Sequence, residues 1–95
     1  MEKKGKNKIK EKKRIAAKDA AVKASQYFTE IVGPRASIVV EEVELSESGS
    51  YWLITLGYGE PSLGRLTLYP ERAFKIFKVD AYTGDVLSMK IREVE

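Results

Sequence analysis

The chain of 95 residues contains neither cysteine nor histidine. Without cysteine there are no disulfides and no thiolate metal ligands. Without histidine the commonest general base and the commonest metal ligand are both missing. A Ser-His-Asp triad or a zinc hydrolase is thereby excluded within the chain, and only carboxylates, lysines and tyrosines are left for catalysis. No apolar run approaches the roughly 20 residues of a membrane-spanning helix. The basic N-terminus is not followed by the apolar stretch of a secretory signal. As written, the chain is expected in the cytoplasm, and outside it if an anchor or leader has been removed. The length is that of one small domain, which buries a modest fraction of its surface and disfavours a deep substrate cavity.

The net charge of +3 conceals a division. Residues 1–14 hold eight Lys/Arg and two Glu, a net of +6, whereas residues 15–95 hold nine Lys/Arg and twelve Asp/Glu, a net of −3. Residues 1–14 are therefore expected to be a basic flexible tail, and 15–95 a single α+β domain. Lys3, Lys4, Lys6, Lys8, Lys10, Lys12, Lys13 and Arg14 form the candidate surface for nucleic acid or another polyanion. The tail has no aromatic residue to stack on bases, so any such contact is to phosphates, unspecific and salt-sensitive.

Ile15 to Val32 carries helical periodicity, with Ala17, Ala20, Ala21, Ala24, Phe28 and Ile31 on one face. The alanines allow close approach to a sheet. Tyr27, Phe28, Ile31 and Val32 are the expected bulky anchor. Gly33-Pro34 ends the helix, with Gly33 expected in a left-handed cap. Ser37 to Ser46 and Tyr51 to Tyr58 read as strands joined by the turn residues Glu47-Ser48-Gly49-Ser50. Pairing Leu45 with Trp52 places Val43 opposite Ile54 and Val39 opposite Tyr58, all on the core side. The same register leaves Glu41 facing the core opposite Leu56, which calls for a bulge or a sheet end there. Glu42 and Glu44 share the outward face without Glu41 or Glu47. An enzyme built on Glu41 and a tyrosine is the weakest of the functional readings.

Gly57 to Arg72 is broken by glycine and proline, with Leu66-Thr67-Leu68-Tyr69 as a short strand. Ala73 to Ala81 and Asp85 to Arg92 form a closing hairpin. A three-residue loop with Gly84 left-handed pairs Val79 with Leu87, Phe77 with Met89 and Lys75 with Ile91. The expected core is then Trp52, Ile54, Phe77, Val79, Leu87 and Met89 under the helix. The fold class is α+β: one N-terminal helix on an antiparallel sheet of about four strands. Asp80 and Asp85 flank the turn but lack the spacing of a calcium loop, and are expected to bond turn amides instead. Neither a metal nor another cofactor is implied. On the face away from the helix, Tyr51, Leu53, Phe74 and Ile76 are the candidate partner-binding residues, since an exposed apolar patch marks an interaction surface.

The order helix, two strands, irregular link, two strands, closing on Val79-Asp80-Ala81-Tyr82-Thr83-Gly84-Asp85-Val86-Leu87, resembles the PepSY domain family. The resemblance is carried by residues 73–92. It implies a non-enzymatic domain that binds or inhibits peptidases or acts as a regulatory module, with no catalytic residues. A cystatin-like arrangement of helix and sheet is a further likeness of fold only. The expected function is thus a small non-catalytic binding or regulatory module for a protein partner, acting through its sheet face or an edge strand. Polyanion binding by the tail is the alternative, and a homodimer is compatible with either.

Overall fold

A computed structural model of the chain describes residues 13–34, 37–60 and 71–92. One helix, α1 (Ala17–Val32), precedes four strands: β1 (Val39–Leu45), β2 (Tyr51–Glu60), β3 (Glu71–Asp80) and β4 (Val86–Ile91). The strands form one antiparallel sheet in the order β1-β2-β3-β4. The architecture is α+β, a helix layered on a sheet. No helix among the described residues is long and apolar enough to cross a membrane.

The start of α1 is fixed by tertiary bonds. Ala16, the N-cap, has no side chain to cap the helix. Instead the Ile15 N–H donates to the Ala81 carbonyl (2.7 Å), and the Trp52 indole N–H donates to the Ile15 carbonyl (3.0 Å). At the other end the Gly33 N–H closes the last turn on the Thr29 carbonyl (2.9 Å). Gly33 has positive φ as expected, but its φ of 102° and ψ of 166° are extended and not the helical left-handed cap. Only glycine enters that region readily.

Ala20, Ala24 and Phe28 are fully buried, and Val32 packs partly buried at the edge of the same cluster. This i, i+4 row slants across the helix surface, as a ridge does where a helix crosses its support at an angle. Ile31 lies off the row and is 60% exposed, so it is not part of the anchor. The row seats on Ile54, Leu56 and Tyr58 of β2 and Phe77 and Val79 of β3. Phe28 sits between Tyr58 (ring centroids 4.8 Å apart) and Phe77 (6.2 Å, edge to face).

Two bulges alter the expected registers. In the first hairpin Leu45 pairs with Trp52 and Val43 with Ile54, as the alternation predicts, but the register shifts between Val40 and Glu42. The extra residue is Glu41. It brings Val40 opposite Leu56 and Val39 opposite Gly57 rather than Tyr58, so an apolar side chain replaces the carboxylate on the core side. In the last hairpin Phe77 pairs with Met89 and Lys75 with Ile91, but Val79 meets Val86. Leu87 is the bulged residue and is 51% exposed, so Val86 takes its expected place beside the core.

The loop before that bulge is Ala81 to Gly84, four residues rather than three, closed by the Asp80 N–H on the Asp85 carbonyl (2.8 Å). Asp80 Oδ1 accepts from the amides of Tyr82 (2.8 Å) and Thr83 (2.9 Å), as expected of a turn aspartate. The Asp85 amide donates to Thr83 Oγ1 (3.1 Å). Gly84 takes the left-handed φ of 82°. The long β2–β3 hairpin was hidden by its glycines. Pairing continues from Tyr51–Asp80 to Glu60–Glu71, so residues 57–60 and 71–72 are strand. The expected strand at 66–69 lies outside the described residues.

This packing predicts unequal outcomes for truncating two large apolar side chains. Phe28→Ala should cost about 3–5 kcal/mol in urea unfolding, whereas Leu87→Ala should stay within about 0.5 kcal/mol. Equal losses would contradict the bulge at Leu87.

Candidate functional site

Alternation along β2 and β3 sends Trp52, Ile54, Leu56, Tyr58, Phe77 and Val79 toward α1. It sends Tyr51, Leu53, Thr55, Gly57, Phe74, Ile76 and Lys78 to the opposite, outward face. Tyr51, Leu53, Ile76 and Phe74 therefore share one face, in a diagonal line across two strands. Each is half-buried. The Lys78 ammonium lies 4.5 Å from the Tyr51 ring centroid. Leu53 and Ile76 border a shallow cleft of about 190 Å³ with Lys78, Ser88 and Lys90. Phe74 borders another of about 290 Å³ with Arg72 and Arg92. Long cationic side chains thus overlie the apolar line, covering hydrocarbon with their stems.

Two ion pairs among the described residues strap this face. Arg72 Nη2 meets Glu41 Oε2 at 3.2 Å, both side chains one-third exposed. Arg92 Nη1 meets Glu42 Oε1 at 2.5 Å and also donates to Thr55 Oγ1 at 3.2 Å. Thr55 is buried under that arginine. The missing side chain of Gly57 makes the crossing feasible. A Cβ there would lie 2.5 Å from Glu41 Oε2 and 2.8 Å from Arg72 Nη2. Glu41 therefore joins Glu42 and Glu44 on the outward face, contrary to the register without a bulge. The bulge turns its carboxylate away from the core and into reach of Arg72.

The helix-facing side of β1 was expected to be core. Among the described residues it is partly open instead, because the buried row of α1 seats on β2 and β3. Val40 is 44% and Val43 41% exposed, and Val22 on the helix is 48% exposed. Between them runs a groove of about 480 Å³. Ala17, Ala21 and Val22 form its helix wall, and Val40 and Val43 its floor. Lys18, Ser25 and Gln26 add the polar groups along α1. Val22 was the available signal: a bulky apolar residue off the buried ridge, beside Lys18, Ser25 and Gln26.

The groove adjoins a free sheet edge. Among the described residues no strand lies beyond β1. The Ser46 N–H donates to the Tyr51 carbonyl (2.9 Å), which makes Ser46–Tyr51 a hydrogen-bonded pair. Antiparallel alternation then gives Glu44 and Glu42 bonds to β2 and turns the N–H and C=O of Val43 and Leu45 toward the edge. Val43 consequently offers an apolar side chain to the groove and a backbone donor and acceptor to the rim.

Of the basic tail, Lys13 and Arg14 are described and exposed. Arg14 Nε donates to the Gly49 carbonyl (2.9 Å), and its guanidinium lies 5.8 Å from the Tyr82 ring centroid. Lys3, Lys4, Lys6, Lys8, Lys10 and Lys12 lie outside the described residues. Among the described residues no cluster of three or more carboxylates could hold a metal ion. No family model matches the chain, and neither a curated protein nor a solved structure matches it.

Gly57→Ala should push Glu41 and Arg72 apart and cost on the order of 1–3 kcal/mol in thermal or urea unfolding. Removing the pair first, with Glu41→Gln and Arg72→Gln, should shrink that cost. A cost unchanged by their removal would show that the glycine serves some other contact.

Proposed function

We propose that the chain is a small non-catalytic binding module that recognises a protein by adding a strand of the partner to the β1 edge. The observation that carries this reading is the coincidence at Val43 of backbone groups turned to the open edge, as at Leu45, with a side chain that lines an apolar groove together with Val40. Strand addition needs both: main-chain hydrogen bonds for affinity and pockets for alternate side chains for selectivity. An added strand would extend the sheet under the uncovered flank of α1 and bury Val22, Val40 and Val43. The PepSY resemblance of the C-terminal hairpin suggests a peptidase as the partner class, with a regulatory outcome.

In this reading Tyr51, Leu53, Phe74 and Ile76 form a second, weaker contact surface. Their half-burial under Lys78, Arg72 and Arg92 supports that ranking. Polyanion binding by the tail is the competing reading. Arg14 is partly committed to Gly49 and Tyr82, so the lysines would carry it.

Val43→Pro deletes one N–H that points to the edge and spares the β1–β2 bonds, a placement that proline tolerates in edge strands. Val22→Glu puts a charge in the groove from the helix side, where the fold does not depend on it. Both variants should lose a partner captured from native extract, and that partner should protect the Val43 and Leu45 amides of the native chain from exchange. The pair Phe74→Ser and Ile76→Ser should retain most of the capture. Capture that survives both groove variants and fails with the Phe74 and Ile76 pair would move the site to the outward face.

A further inference from the structure

We infer that the segment taken up at the β1 edge is basic: an extended stretch of another protein that alternates apolar residues with lysine or arginine. This inference rests on the strand-addition reading above and specifies its ligand. A strand beside β1 has two faces, and β1 dictates what each must be. Toward α1 the neighbours are Val22, Val40 and Val43, which select apolar side chains. Away from α1 the neighbours are Glu42 and Glu44, with Glu41 brought to the same side by the bulge. Glu41 and Glu42 are held by Arg72 and Arg92, whereas Glu44 has no ion pair among the described residues. Directly opposed residues of opposite charge stabilise neighbouring strands, and like charges destabilise them.

The same row argues against a second copy pairing β1 to β1. Two antiparallel β1 strands would oppose Glu42 and Glu44 of one copy to the same glutamates of the other. Edge charges commonly block self-pairing in this way. Here they block one sign of partner and favour the other.

Handedness argues against the chain's own lysine tail as an intramolecular occupant. Val43 points its side chain at α1 and its backbone groups at the open edge. For an L-residue this places β2 to the left of β1 when α1 faces the viewer and β1 runs upward. Arg14 and Ile15 tie the tail to the top of the sheet, at Gly49 and Ala81. A tail strand on the open edge running up into α1 would lie parallel to β1 and to its right. The crossover through α1 to β1 would then be left-handed, against the right-handed sense of about 98% of such units. An antiparallel run would require the tail, with a net charge of +6, to double back on itself.

The test uses the full chain, labelled for amide spectra, at low salt. The probes are three peptides of about seven residues: one alternating lysine and valine, one alternating glutamate and valine, and one with the lysines and valines in separate blocks. The lysine–valine peptide should shift the Val43 and Leu45 amides and bind about tenfold more tightly than either control. The preference for lysine over glutamate should invert in the variant carrying Glu42→Lys and Glu44→Lys. Glu44→Lys alone, which breaks no ion pair among the described residues, should narrow it. If lysine and glutamate peptides shift β1 equally, the edge reading stands and the basic ligand falls. If no peptide perturbs Val43 or Leu45, the edge reading falls as well. Shifts at these amides that grow with protein concentration alone would assign the edge to the tail of a second copy and overturn the foreign ligand.

Discussion

The seat of α1 on β2 and β3 determines everything else in this molecule. Ala20 and Ala24 let the helix approach the sheet closely, and Phe28 locks it between Tyr58 and Phe77. Dispersion and the removal of apolar surface from water favour that contact over any other the helix could make. A single helix resting on the two central strands cannot also cover both edge strands. The groove beside β1 is thus a geometric consequence of a core that is narrow and well packed. It is the space left over when one helix serves four strands, and β1 lines it with valines.

The outward face follows a different rule. With no helix there among the described residues, long charged side chains lie over the middle of the sheet. Arg92 reaches over Thr55 to Glu42, and Arg72 reaches Glu41 across the gap left by Gly57. Exposed ion pairs of this kind add little stability each, but they occupy the surface. Among the described residues the helix-side edge has no such cover at Val40 and Val43. The contrast ranks the two surfaces as binding candidates: one closed by its own charges, the other open and bordered by carboxylates.

Much of the fold was legible in the chain. The alanine-rich period of α1, the Leu45–Trp52 register and the Phe77–Met89 pairing follow from periodicity alone. Glu41 announced its bulge, since a carboxylate falling on the core side has to be displaced. Leu87 gave no such sign, because a leucine is acceptable on the core side. Only the four-residue loop from Ala81 to Gly84, closed by Asp80 and Asp85, shows that Val86 precedes it into the core. Residues 59–60, beyond the expected end of the strand at Tyr58, were obscured for the opposite reason. Local propensity is poor there, and pairing with 71–72 overrides it. The groove was the least visible feature. Periodicity tells which way Val40 and Val43 face, but not whether anything lies above them. That depends on where one helix comes to rest across the sheet.

The most direct measurement is amide hydrogen exchange along β1 in the free chain. An open edge predicts a two-residue alternation, with slow exchange at Glu42 and Glu44, whose N–H groups face β2, and fast exchange at Val43 and Leu45. Uniformly slow exchange across all four, at dilutions where no second copy can bind, would mean that the edge is already covered and would contradict the account.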